Sequence, residues 1–228
     1  MKIYIYFHIC CINNWADIVA QSYAHIKSSG LYDIIEEIRC GVLGEHDGSH
    51  PLFADPKVSI VAQSLDIKSY EILTLDKLLA DASSTDHEEF YVLYIHSKGV
   101  GYNGNVPNVT DWVNYLTYFN IYRHKDCMWL LQNHGYDAVG VNITEKPILH
   151  YSGNFWWSTS KHIATLPPID FIHYHAAEFW VCSGKGKYVT LWQSDINHYN
   201  KPYPVSEYVN KEITTKGIEK NYTIIYKD

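Results

Sequence analysis

His96-Ser97-Lys98-Gly99 closes the most apolar run of the chain, Phe90 to Ile95. A run without polar alternation reads as a central strand buried on both faces, and in open α/β sheets ligands bind outside the carboxyl ends of such strands. There the Lys98 ammonium can neutralise a diphosphate. His96 can hydrogen-bond to the same group or ligate a metal, and both actions suit a leaving group that departs with negative charge. The bland alternative is a solvated strand end with a capping histidine; position favours chemistry.

Gly99-Val100-Gly101-Tyr102-Asn103-Gly104 follows directly and matches G-x-G-x-x-G. A dinucleotide-binding turn also needs its helix to start within the glycines, so that the N-terminus receives the pyrophosphate. Pro107 and the surrounding asparagines delay that helix to about residue 110, which favours a mobile glycine loop near the active edge. Gly184-Lys185-Gly186-Lys187 lacks the Walker spacing and reads as a solvated turn. In His150-Tyr151-Ser152-Gly153-Asn154-Phe155-Trp156-Trp157, small and amide residues precede three aromatics. Asn154 can serve a sugar hydroxyl and a Trp face can stack on the ring. Neighbours on a strand point to opposite faces, so at least one of Trp156 and Trp157 belongs to the core. Glu178 stands among apolar residues, where burial would raise its pKa and suit it to general-base work, although a solvated helix face explains a lone Glu as well. Asp195 and His198 follow the last predicted strand and can meet the same cleft, or belong to a polar loop. The pairs His46 with His50 and His173 with His175 have metal-compatible spacing without a convincing set of partners.

Something must hold these groups together. The chain has 228 residues, 46% of them hydrophobic and 19% charged. That length buries roughly 70% of the unfolded surface, so a full core forms without disulfide staples. Twenty-five acidic against eighteen basic residues give a net charge of −7, which argues against broad nucleic-acid binding. The uncharged stretch Ile3 to Ala16 is too short for a membrane span and lacks the pattern of a signal peptide. Five cysteines without a Cys-x-x-Cys suggest neither a disulfide framework nor a zinc ribbon, and a reducing compartment such as the cytoplasm follows. Twenty Tyr and seven Trp suit either core packing or sugar stacking, and their positions must decide.

Alternation predicts a strand over residues 2–9, then a helix capped by Asn14 and closed by Gly30. Strands are predicted over 38–43 and 58–62, a helix over 70–80, and the buried strand over 90–95. Beyond the glycines a long aromatic helix starts at Thr110 or Asp111, and a second piece ends near Gly135. Further strands are expected at 136–143 and 188–192, an extended stretch at 150–157, and short helices at 158–165 and 176–182. No repeat divides the chain. The pattern implies one α/β domain over about residues 1–200, built on a mostly parallel sheet of about six strands flanked by helices. The polar tail over 201–228 either packs on that domain or leads to a linker.

Four stretches taken together resemble a group of small glycosyltransferases found in bacteria and large DNA viruses, including capsid-glycosylating enzymes of algal viruses. They are Ile9 to Trp15 with Ser29 to Asp33, Leu93 to Gly99, Ser152 to Trp157 with Leu166-Pro167, and Glu178-Phe179-Trp180. His-x-Lys after a buried strand also looks like the motif of rhamnan-synthesis transferases. The likeness spans about residues 1–200 and implies a GT-A-like transferase acting from a UDP-sugar on a glycan or glycoprotein hydroxyl, in a host cytoplasm if viral. By that likeness the donor lies near Phe7, His8 and Ile9, with its diphosphate near His96, Ser97, Lys98 and Gly99. Asn154, Trp156, Trp157 and Glu178 then face the sugar or acceptor; with Asp195, placed after the last predicted strand, Glu178 is a candidate catalytic carboxylate.

Many GT-A enzymes hold Mn²⁺ or Mg²⁺ with an Asp-x-Asp after the central strand, and here His96-Ser97-Lys98 takes that place. A metal-free enzyme would need further donors, such as backbone amides near Gly99 and Gly101. Otherwise His96, Asp195 or His198 holds an ion. The alternative from another class is a non-catalytic carbohydrate-binding module using the aromatic surface; a nicotinamide-dependent oxidoreductase using the glycine motif predicts affinity for NAD and fails on the expected helix placement.

Overall fold

Period-2 alternation of large apolar residues makes the first strand, and its neighbours in the sheet are built the same way. A computed structural model describes residues 1–85, 88–102, 106–169 and 175–220. In chain order its first half contains β1 (Lys2–Cys10), α1 (Trp15–Ser28), α2 (Leu31–Ile34), β2 (Glu37–Leu43), β3 (Val58–Ser64), α3 (Ile72–Ser83) and β4 (Phe90–His96). Then come α4 (Pro107–Thr117), a π-helical turn over Tyr118–Tyr122, and α5 (His124–His134). The remainder is β5 (Ala138–Gly140), β6 (Ile143–Thr144), β7 (His150–Tyr151), β8 (Trp156–Thr159), α6 (Ser160–Ile163), α7 (Ala176–Trp180), β9 (Gly186–Thr190) and β10 (Lys216–Lys220).

The main sheet has eight strands in the order β10-β9-β5-β8-β4-β1-β2-β3. Strands β1 to β4 are parallel, and so is the β5–β9 pair, whereas β8 runs antiparallel to β4 and β5, and β10 to β9. The 3-2-1-4 order reverses direction between β1 and β4, the topological switch point at which open α/β sheets take ligands. Register puts His8 directly opposite His96 at that point. The sheet is larger than the six strands expected, because the stretch expected to be extended over 150–157 supplies β8 between β4 and β5, and the segment beyond residue 200 contributes β10 and buries Tyr208 in the core. Among the described residues no helix is long and apolar enough to cross a membrane.

Alternation sorts the sheet into two cores. Ile5, Phe7, Ile9, Leu93, Ile95 and Trp157 face the layer of α1, α4 and α5. Tyr4, Tyr6, Val92, Tyr94, Trp156 and Tyr188 face α3, α6 and α7. Each fully buried large side chain contributes about 1.5–3 kcal/mol relative to exposure. Trp156 and Trp157 are both 0% exposed, one in each core, so neither offers a face to a sugar. Within the π turn the Asn120 carbonyl accepts the Trp157 indole N–H at 2.8 Å.

Several boundaries differ from expectation for local reasons. Helix α4 begins at Pro107, not at 110, because proline at the first helical position lacks only a donor that would have no helical partner. Part of the glycine motif, Asn103 and Gly104, lies outside the described residues. The strand expected over 136–143 divides into β5 and β6, and the stretch 150–157 turns at Gly153 (φ 96°) and Asn154 (φ 54°). Strands β6 and β7 pair as a separate ribbon.

Helix α3 lies close on β2 because Gly41 has no side chain: a Cβ there would stand 2.0 Å from Thr74 Oγ1. Gly41→Ala is expected to lower unfolding stability by about 1–3 kcal/mol through overpacking. Urea denaturation checks this, and an unchanged midpoint would contradict the contact.

Candidate functional site

Parallel strands present their carboxyl ends along one edge, where β1 and β4 deliver His8 to Cys10 and His96 to Gly99 side by side. The two ends are tied together. Ser97 N–H donates to His8 O at 2.8 Å, and the Cys10 N–H donates to Ser97 Oγ at 2.9 Å. Ser97 is thus a buried staple across the switch point. Above it lies a cavity of about 260 Å³ whose lining includes His8, Glu71, His96, Lys98, Gly99 and Trp112, with Leu43, Ile12 and Ile67 towards β2. Phe7 and Ile9, expected beside a donor, are 0% exposed and point into the opposite core, so only His8 of that trio sends its side chain to the cavity.

Lys98 is the cation of the cavity. Its Nζ sits 3.7 Å from the centroid of Trp112, and no carboxylate lies within ion-pair distance of it among the described residues. Burial lowers its pKa, with Glu178 and Glu71 opposing the shift from further away. A partly buried ammonium without an ion-pair partner is costly, and an anionic ligand would relieve that cost. Gly99 holds φ at 101°, a backbone conformation that L side chains rarely adopt.

The opposite wall is polar. Glu71, at the start of α3, accepts from Tyr94 O–H at 2.7 Å and Asn154 Nδ2 at 2.6 Å, both on Oε2. Its Oε1 stands 3.8 Å from His96 Nδ1. Burial raises the Glu71 pKa, against the attraction of His8 and the two hydrogen bonds. Burial lowers His8 to about 4 and His96 to about 3, so both imidazoles are neutral near pH 7. Because His96 Nε2 faces the Gly153 carbonyl at 3.1 Å, that nitrogen carries the proton and Nδ1 keeps its lone pair.

Gly153 links this wall to a second cavity. Its carbonyl binds His96, and its N–H donates to Glu178 Oε1 at 2.8 Å. The second cavity, about 480 Å³, is lined by Glu178, Asp195, His198, Asn142 and Ser152 among others, and shares Tyr199 with the first. Glu178 Oε2 lies 3.5 Å from His175 Nδ1, and its side chain is 16% exposed. Asp195 is exposed on the cavity wall at φ 56°.

Two further assignments change. Asn154 is 2% exposed and fully engaged, giving its amide N–H to Glu71 and accepting the Trp156 indole N–H at 2.9 Å on Oδ1. It positions Glu71 and is closed to a sugar. His198 is stacked between Trp112 and Tyr115, its Nε2 lies 2.8 Å from both Asn142 Nδ2 and Ser194 Oγ, and burial lowers its pKa to about 4. His96, Asp195 and His198 therefore do not converge, and no group of three His, Cys, Asp or Glu side chains that could hold an ion is found among the described residues. His173 lies outside them. The residue that sequence reasoning missed is Glu71; its signal was a carboxylate at the start of the helix that follows β3 after a short turn, a position a doubly wound fold places at the ligand edge.

A family model described as a domain of unknown function (DUF8361) matches residues 13–202, a span that contains β4, the second cavity and all of the first cavity's lining except His8, Cys10 and Ile12. No curated protein matches the chain.

Neutral buried histidines make stability depend on pH. Between the ordinary value of 6.5 and about 4, the unfolded chain protonates His8 and His96 while the folded chain does not. Stability therefore falls as pH falls through that window, by up to about 1.4 kcal/mol per pH unit for each group. His96→Gln keeps a donor for Gly153 O and is expected to flatten the decline in urea midpoint between pH 6.5 and 4. An equal slope in variant and wild type would contradict a neutral His96.

Proposed function

We propose that this chain, which belongs to the DUF8361 family, is a glycosyltransferase that moves a hexosyl or deoxyhexosyl group from a UDP-sugar to a hydroxyl of a glycan or glycoprotein. The observation that carries the reading is Lys98: a cation without an ion-pair partner among the described residues, held over Trp112 in the switch-point cavity. Charge develops on the diphosphate as the sugar leaves, and a preorganised ammonium in a partly buried site is well suited to stabilise it. The apolar end of the cavity at Ile12, Leu43 and Ile67 suits the flat face of a base. Uridine as that base follows from the sequence resemblance.

The adjoining cavity supplies the other half of the reaction. A bond forms from the acceptor oxygen to the anomeric carbon as the bond to the diphosphate oxygen breaks; the electron pair leaves with UDP, and the hydroxyl proton passes to a carboxylate. Glu178 suits the role of base, since the Gly153 amide fixes one of its oxygens and leaves the other towards the cavity and His175. Asp195 lines the same cavity and is the second candidate. Among the described residues no three His, Cys, Asp or Glu side chains converge on a divalent-ion site, and in this reading Lys98 and the strand-end backbone carry the diphosphate. A carbohydrate-binding module finds less support, because Trp156 and Trp157, the tryptophans of the expected sugar platform, are buried.

Calorimetric titration with UDP, with and without Mn²⁺ and with CMP, GDP and NAD as controls, tests the proposal. UDP is expected to bind selectively and within about twofold the same affinity in both buffers, and Lys98→Ala to weaken it on the order of 10–100-fold, the scale of a lost charge-assisted contact. Glu178→Gln is expected to lower transfer far more than UDP affinity. No UDP binding by the wild type would refute the transferase, and a Lys98→Ala variant that binds normally would remove Lys98 from the donor site.

A further inference from the structure

Glu71 and His96 face each other across the floor of the switch-point cavity with nothing shared between them. Glu71 Oε2 is saturated by Tyr94 and Asn154, so the carboxylate is locked in one orientation. Oε1 receives no hydrogen bond among the described residues, and His96 Nδ1 stands 3.8 Å from it. That separation is too long for a hydrogen bond. Nor can the two satisfy each other, because the His96 proton is committed to Gly153 O and Nδ1 presents a lone pair. Two rigid acceptors, one anionic and one neutral, thus stand side by side and open to the cavity.

Such a notch repels phosphate and calls for donors. Lys98 approaches from the α4 side, over Trp112, whereas Glu71 approaches from the α3 side. A ligand lying along the sheet edge can therefore present its anionic groups to one wall and neutral hydroxyl groups to the other. Two adjacent hydroxyls offer two O–H donors at neighbouring positions, one for Oε1 and one for Nδ1. We infer that Glu71, with His96, is the specificity-determining pair that recognises a vicinal diol of the bound donor. This rests on the reading of the cavity as a nucleotide-sugar site. The diol belongs either to the ribose or to the transferred sugar, which share this chemistry.

The test uses an isosteric change. In Glu71→Gln the amide oxygen can keep both bonds from Tyr94 and Asn154, while the amide N–H₂ replaces the acceptor at Oε1. UDP, 2′-deoxy-UDP and UDP-glucose are titrated into wild type and variant, with the melting temperature as the control for folding. If the ribose is read, wild type prefers UDP to 2′-deoxy-UDP by tenfold or more, and Glu71→Gln loses that preference. If the transferred sugar is read, both proteins bind UDP alike, and the tenfold or greater advantage of UDP-glucose in the wild type disappears in the variant. Should Glu71→Gln fail to fold, the wild-type preferences still decide: the absence of both overturns the inference. A folded variant with wild-type affinity for all three ligands overturns it as well. Failure of the wild type to bind any of the three would instead overturn the donor-site reading on which the inference stands.

Discussion

Parallel pairing of Lys2–Cys10 with Phe90–His96 is the constraint on which the rest of the site depends. Once Ile5 pairs with Leu93, register puts His8 opposite His96, and the strand ends finish level at one sheet edge. Slipping that pairing by one residue would exchange the two faces of β1, sending His8 into the α1 core and Phe7 to the ligand side. Burial of large apolar chains on both faces makes the slip prohibitive. The Ser97 staple to Cys10 and His8 then holds the edge after hydrogen bonding between the strands ends.

Charge placement at this edge differs from that of two carboxylate networks elsewhere in the fold. There Asp81 pairs with Arg39 and Lys77, and Asp55 with Lys27 and two tyrosines. Those networks stabilise the ionised forms of their carboxylates, and the pKa values of Asp81 and Asp55 lie below the ordinary range despite burial. At the switch point the pattern reverses. Lys98 is lowered, Glu71 is raised, and each faces open space instead of an opposite charge in contact. With Lys98 and Glu71 left without an opposite charge in contact, the site retains a cost that a ligand can offset.

Much of this was legible in the residues. An uninterrupted apolar run ending in His96-Ser97-Lys98 identifies a buried strand and its polar end locally, and the element order that follows implies a doubly wound sheet. Tertiary partners are a different matter. Glu71 becomes a site residue only through Tyr94 and Asn154, which lie 23 and 83 positions away and are not coupled to it by any local pattern. Asn154, Trp156 and Trp157 have the composition of a sugar platform, yet composition is silent on burial, and the turn at Gly153 directs all three inward. Strand β10 escaped for a related reason: a polar edge strand carries no hydrophobic signature, and only its partner β9 makes it a strand.

The central claim is that an anionic nucleotide binds at the β1–β4 edge, and hydrogen–deuterium exchange with and without saturating UDP tests it most directly. The account predicts slowed amide exchange over residues 96–102 and at the start of α3 around Glu71, with the ribbon of β6 and β7 unchanged. Protection confined to that ribbon or to the outer strands, with the 96–102 amides unaffected, would contradict it.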